Sequence, residues 1–334
     1  MKLRESHRLL IGLTLLAILL TFASLTPLLN STAEQMRLRN SLIAEVGDHS
    51  AFDWTPGNSP PAFHMESEAA PDMFIEAAEN LTSLQSGTHR LWRAALELSD
   101  HLAEGPGIGG RIQSNTAETY KMILSEKAGY CADYRRAFSG LAHAARIPVR
   151  QWGMTFDDFG EEGHAFSEIF SPQWNKWIFL DSYYSFYVED PMTKVPLSVL
   201  ELSRALRSGA PFERLHVVRI TPERFTFDTD ESALTYYQIG SRQMFLLMRN
   251  DVFTYDRHPV VEAFSPISRK GTQLAAIALG IFPKIQVVPS DENWRAVDSL
   301  YAKRNRYFGA MILLVLLGLS LWAEISIYRR RKLN

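Results

Sequence analysis

Gly129–Arg150 reads GYCADYRRAFSGLAHAARIPVR and contains the only cysteine in 334 residues. Phe138, Leu141, Ala142 and Ala145 recur at helical spacing and the run stops before Pro148, which predicts a helix that opens at Cys131. A free cysteine is ordinarily a small buried hydrophobe. At the start of a helix, however, the partial positive charge of the unpaired N–H groups favours thiolate over thiol. Gly129, two residues earlier, allows backbone and substrate to approach closely. A thiol nucleophile needs a base to take its proton, and that base needs a third group to fix its orientation.

Three strand-like runs follow: Val149–Phe156, His164–Phe170 and Trp177–Tyr184, separated by turn-forming segments. His164, in GHAFSEIF (Gly163–Phe170), is the one histidine between the helix and residue 190. Asp181, in WIFLDSYY (Trp177–Tyr184), falls on the same alternating face as Trp177 and Phe179. If the second and third strands are hairpin neighbours, His164 and Asp181 lie side by side, and the helix brings Cys131 against them. Helix followed by antiparallel hairpins defines an α+β core.

These blocks resemble the transglutaminase-like superfamily. Its members show Gly-x-Cys-x-Asp at a helix start, a helix ending in Gly-Ile-Pro-Ala-Arg or similar, a His-Ala-Trp-x-Glu strand and a Trp-x-x-Asp strand. The match runs from about Thr116 to Tyr187, with 33 residues from Cys131 to His164 and 17 from His164 to Asp181. Arg146 stands where glycine is usual, and Phe166 where tryptophan is usual. The resemblance implies a papain-like core, with a Cys-bearing helix packed on an antiparallel sheet that bears His and Asp. It also implies a catalytic set of Cys131 as nucleophile, His164 as base and Asp181 as orienter.

Other residues near these blocks have plainer readings. Asp133 falls in the first helical turn, where a carboxylate is favoured electrostatically, so a structural role is expected. Glu168 reads as a strand residue paired with an arginine. Trp152, Trp174, Trp177, Tyr183, Tyr184, Phe186 and Tyr187 serve as core or as a cleft floor. An oxyanion hole would use the Cys131 N–H, with Trp92, Gln113 and Tyr120 as candidate second donors. The turn EGPGIGGR (Glu104–Arg111) lacks the following Lys-Ser/Thr of a phosphate loop. The nine histidines show no metal-ligand spacing, and neither a metal nor a nucleotide cofactor is expected.

The ends differ from the middle. Leu9–Leu25 carries no charge over seventeen residues, and Phe308–Ala323 is equally apolar. Spanning a bilayer takes about 20 such residues, so one transmembrane helix is expected at each end. Lys2, Arg4 and Arg8 precede the first, and Arg329, Arg330, Arg331 and Lys332 follow the second. This pattern puts both termini in the cytoplasm and the middle outside, in the periplasm of a bacterium. There a lone cysteine has no intramolecular disulfide partner. A net charge of −2 gives no pull toward nucleic acid.

The expected organisation is an anchor at 1–27, an irregular linker at 28–71 and the transglutaminase-like core at 72–190. An α/β extension at 191–305 follows, with a helix at Leu197–Ser208, strands over Leu215–Phe227 and Leu234–Asp256, and a short helix at Leu274–Phe282. A second span at 306–328 and a basic tail at 329–334 complete the chain. The function expected is that of a membrane-anchored thiol enzyme, hydrolase or acyltransferase, acting on cell-envelope peptides or proteins. The alternative is a catalytically silent binding module in an envelope complex.

Overall fold

The apolar ends and the chain between them belong to separate bodies: residues 43–294 form one, and residues 1–42 with 295–334 the other. The computed structural model describes residues 2–333 apart from 84, 106, 108, 111, 113, 126–128 and 210. The N-terminal apolar run lies in α1 (Lys2–Ser24), followed by α2 (Thr26–Asn30) and α3 (Thr32–Asn40). Ser31 caps α3 by accepting from the Glu34 N–H at 3.2 Å.

The larger body begins with β1 (Ala44–Val46), then α4 (Asp72–Thr82) and α5 (Arg90–Ala103), which Gly87 separates at φ 78°. α6 (Thr116–Ser125) leads to α7 (Cys131–Ala144), and β2 (Val149–Thr155), β3 (Gly163–Ser171) and β4 (Lys176–Leu180) follow. The chain continues through β5 (Phe186–Glu189), α8 (Val199–Arg207), β6 (His216–Arg219), α9 (Asp230–Gly240) and β7 (Met244–Leu247). It then passes α10 (Val252–Asp256), α11 (Pro259–Phe264), α12 (Arg269–Ala278) and β8 (Ile285–Val287). A long helix, α13 (Asp291–Leu333), closes the sequence.

The main sheet runs β1-β8-β7-β2-β3-β4, and a small ribbon pairs β5 with β6. Only the β1–β8 pair of the main sheet is parallel. Alternation along the strands splits the side chains between two apolar layers. Val149, Ile169, Ile178 and Leu180 pack with α5 and α7, while Trp152, Phe166 and Phe179 pack with α8 and α9. The fold is therefore mixed α+β, with helices on both faces of a mostly antiparallel sheet.

Arg146 shows how the end of α7 is made. Its φ of 57° is the left-handed conformation that glycine adopts at no steric cost, which accounts for glycine being usual there. The backbone closes all the same, with Ile147 N–H donating to the Ala142 carbonyl at 2.8 Å.

Three expectations change. The segment 28–71 is not an irregular linker throughout, because it contains α3 and β1 and buries Phe52, Trp54 and Phe63 in the core. Leu234–Asp256 holds α9, β7 and α10 rather than strands alone. The helix wins because Thr229 accepts from the Ser232 N–H at 3.0 Å and two acids occupy the first turn. Leu215–Phe227 is a strand only to Arg219, after which a 3₁₀ turn begins at Pro222. Residues 191–294 share one body with 72–190, and β7 and β8 extend the sheet that β2–β4 begin.

At the C-terminal end, Asp291–Arg330 is one helix long and apolar enough to cross a membrane. The apolar part of α1, Arg8–Ser24, is shorter, so among the described residues a span of that length is found at the C-terminal end alone. Within the smaller body, Glu34 accepts from Lys303 Nζ and from the Tyr307 hydroxyl, both at 2.8 Å.

Candidate functional site

Cys131 is the first residue of α7, and its position is set from both sides. Ahead of it, Gly129 has φ 138°, and a Cβ there would meet Tyr134 Cε2 at 3.2 Å and Ile123 Cγ1 at 3.3 Å. Glycine is thus required by conformation and by crowding. Gly129 exchanges two backbone hydrogen bonds with Gly109, at 2.9 and 3.1 Å, and Tyr134 donates its hydroxyl to the Gly107 carbonyl at 2.9 Å. The glycine-rich turn therefore braces the approach to the cysteine. Behind Cys131, Asp133 accepts from the Tyr130 N–H at 3.0 Å, a structural contact that secures the first helical turn.

β3 and β4 pair antiparallel, with Ser167 opposite Leu180, which brings His164 and Asp181 together. Asp181 Oδ2 accepts from His164 Nε2 at 2.7 Å. That bond leaves Nδ1 as the ring nitrogen available to the thiol, and Cys131 and His164 are near enough that each shifts the other's titration. Burial opposes a charge on His164, but the Asp181 carboxylate and the Cys131 thiolate outweigh it and raise its pKa to about 10. Burial likewise opposes the thiolate, yet His164, the Ala165 N–H and Arg135 together bring the Cys131 pKa below the ordinary thiol value. Both shifts run toward a thiolate–imidazolium pair.

Asp181 is fully buried, and both its oxygens are satisfied. Oδ1 accepts from the backbone N–H groups of Tyr183 and Tyr184, at 2.8 and 3.1 Å, and Oδ2 from the Tyr237 hydroxyl at 2.5 Å as well as from His164. The tight turn that supplies the two N–H groups is closed by Asp181 and Phe186, which exchange backbone hydrogen bonds, with Ser185 at φ 55°. His164 is stacked on Tyr184, ring centroids 5.0 Å apart, and Tyr183, Tyr236 and Tyr237 surround it at 5.8–5.9 Å.

Tyr236 and Tyr237 belong to α9 and were not singled out from the sequence. The signal was an adjacent tyrosine pair inside a helix with a Thr-Asp-Glu start, but nothing in one chain ties that pair to a histidine seventy residues away. Tyr183 and Tyr184 were foreseen as core or cleft aromatics and lie at the histidine, whereas Trp152, Trp177 and Phe186 are buried core.

The candidate second oxyanion donors are engaged elsewhere or outside view. The Tyr120 hydroxyl is bonded to His101 Nε2 at 2.8 Å and its ring packs on Phe74. Trp92 is buried between Trp174 and Tyr187. Gln113 lies outside the described residues. Glu168 is fully buried, where Oε2 accepts from Arg150 Nε at 2.6 Å and Trp152 Nε1 at 2.5 Å, and Oε1 accepts from the Val199 N–H at 2.7 Å. It ties β2 and β3 to the start of α8.

The mixed α+β body thus sets a helix-start cysteine near a histidine and an aspartate from a neighbouring strand pair. Residues 78–182, which contain all three side chains, match the family model of the transglutaminase-like superfamily. No curated protein and no solved structure matches the chain.

Proposed function

We propose that the protein is a thiol enzyme of transglutaminase-like type, with Cys131 as nucleophile, His164 as general base and acid, and Asp181 as the group that orients it. The observation that carries this reading is the buried His164–Asp181 hydrogen bond at 2.7 Å with the helix-start Cys131 in electrostatic contact with the same imidazole. The thiolate attacks a carbonyl carbon, and the negative charge on its oxygen is met by the Cys131 N–H, one of the first-turn donors that have no acceptor within the helix. The C–N bond then breaks as His164 gives its proton to the departing amine, leaving a thioester on Cys131. Water or a second amine attacks the thioester, His164 takes the proton, and the thiolate–imidazolium pair is restored.

The substrates in this reading are peptides or proteins of the cell envelope, reached from a membrane anchor with the larger body on the extracytoplasmic side. The long apolar C-terminal helix supports anchoring, and the flanking basic residues support the orientation.

Iodoacetamide alkylation of the full-length protein in detergent tests the chemistry. Cys131 is expected to react at pH 7 about 10–100 times faster than a model thiol, because an ordinary thiol near pKa 8.5 is only a few per cent ionised there. Amide hydrolysis is expected to fall on the alkaline side as pH rises through about 10, where His164 loses the proton it must donate. Model-thiol reactivity, together with undisturbed cellular function of a Cys131→Ala strain, would leave the silent binding module as the better reading.

A further inference from the structure

The first turns of α7 after Cys131 and strands β2 and β7 border a cleft of about 850 Å³, whose lining includes Asp133, Arg135, Arg136, Gln151, Arg249 and Asp256 but not Cys131 itself. Most of these polar groups are already answered. Asp256 accepts from Arg136 Nη2 at 3.1 Å and from the Thr116 N–H at 2.6 Å. Arg249 pairs with Asp251 at 2.9 Å, and Asp133 holds the Tyr130 N–H.

Two donors are left over. Gln151 is only 3% exposed, and its Nε2 has no hydrogen-bond partner. Arg135 donates Nη1 to the Trp152 carbonyl at 2.8 Å, but its buried Nε has no partner. That carbonyl belongs to the residue after Gln151, so both unanswered donors sit in the same wall. Buried polar groups are rarely left unpaired, and two unanswered donors in one wall can be met by an acceptor brought in from outside.

The form of the acceptor follows from the donors. With Nη1 occupied, Arg135 offers the Nε edge of its planar guanidinium, the side-on fork that matches the two oxygens of a carboxylate. Gln151 Nε2 adds a third, neutral donor. A neutral peptide carbonyl would use one donor and leave the others unmet. The site is one helical turn from the chemistry, since Arg135 follows Cys131 by four residues on α7 and so shares its side of the helix.

We propose that this cleft is a carboxylate-binding subsite, in which Arg135 and Gln151 hold a carboxylate of a peptide substrate while the scissile bond lies at Cys131. Its meaning as a substrate subsite rests on the thiol-enzyme reading above, whereas binding itself is testable without turnover.

The test uses full-length Cys131→Ala protein in detergent and isothermal titration with matched N-acetylated tetrapeptides. One ends in a free carboxylate, one is the same peptide amidated, and one is amidated with a glutamate side chain. At least one carboxylate peptide is expected to bind tenfold or more tightly than the neutral amide, and which one does so tells a chain-end carboxylate from a side-chain carboxylate. Gln151→Leu, which fills the same space and removes a donor that has no partner in the protein, should reduce that preference to threefold or less. Arg135→Met should abolish it, with a thermal melt confirming that each variant is folded.

Equal binding of all three peptides overturns the proposal. So does a preference that survives Gln151→Leu but disappears in His164→Ala, which would put the anion at the imidazolium instead. Ordinary iodoacetamide reactivity of wild-type Cys131 beside an intact carboxylate preference would sink the thiol-enzyme reading and leave the subsite standing. Fast alkylation with no preference would do the reverse.

Discussion

Glu168 on β3 and Asp181 at the end of β4 are both fully buried carboxylates, each bonded through both oxygens and each facing a basic side chain. Yet they serve different ends, and the difference lies in where their hydrogen-bond chains lead. From Glu168 the chain runs to Arg150 and stops at the Phe52 carbonyl, 2.9 Å from Nη1, under the rings of Trp54 and Trp177. Every member is answered and nothing can be added. From Asp181 the hydrogen bond runs to His164, and beyond that imidazole stands a partly exposed thiol at the start of a helix. Burial and ion pairing alone therefore do not mark a site; a buried pair becomes a candidate for chemistry when one end of its network remains open to a reactant.

The comparison breaks most sharply at Glu168. Glu168→Ala strands the Arg150 guanidinium in a core lined by three tryptophans, and breaking a buried pair in this way costs about 3–5 kcal/mol. Denaturant unfolding is expected to show that loss, while the folded fraction keeps the rapid Cys131 alkylation of the parent. Loss of thiol reactivity in folded Glu168→Ala protein would mean that the two networks are coupled.

Asp181→Asn should do the opposite. The amide keeps the shape but surrenders the charge that outweighs the burial of His164, so the imidazolium loses its proton at lower pH and the thiolate loses its partner. Iodoacetamide reactivity at pH 7 is expected to drop roughly 10–100-fold, toward that of an ordinary thiol. An unchanged rate would remove Asp181 from the proposed orienting role.

How much of this was legible in the sequence follows the same line. The Cys131 helix, its stop before Pro148 and strands β2–β4 are local patterns, since period and turn chemistry in one stretch are enough to write them. The spacing of Cys131, His164 and Asp181 could be read because one helix and two hairpin-linked strands deliver all three. The answered half of the site was harder. Tyr237 reaches Asp181 from 56 residues further on, and the aromatic residues of α9 mimic a strand although its capping threonine sets a helix. Gln151 was equally silent, since an unpartnered donor is a property of three-dimensional packing and leaves no trace in spacing. The glycine-rich turn was visible, but its use, bracing Gly129 through Gly109, depends on a backbone pairing that only the fold supplies.

Tyr237 offers the smallest change and the finest discrimination. Its hydroxyl shares Asp181 Oδ2 with His164, so it both steadies the carboxylate and draws off part of the negative charge available to the imidazole. In Tyr237→Phe the ring still fills its place against Phe166, Phe179 and Phe186, and the loss is confined to one hydrogen bond to a charged group. That bond is worth about 1.5–3 kcal/mol, and unfolding should report a loss at the lower end, because Asp181 retains three donors. Reactivity should move differently. With the competing donor gone, Asp181 holds the imidazolium more strongly, so the alkaline limb of the hydrolysis profile shifts upward by roughly a few tenths of a pH unit. The alkylation rate at pH 7 should stay within about threefold of the parent, since the change at His164 is small. A purely structural tyrosine would lower stability and leave the limb in place. If Tyr237→Phe instead lost as much thiol reactivity as Asp181→Asn, the hydroxyl would be fixing the position of the carboxylate itself, and α9 would have to be counted with β3 and β4 among the elements that hold the site.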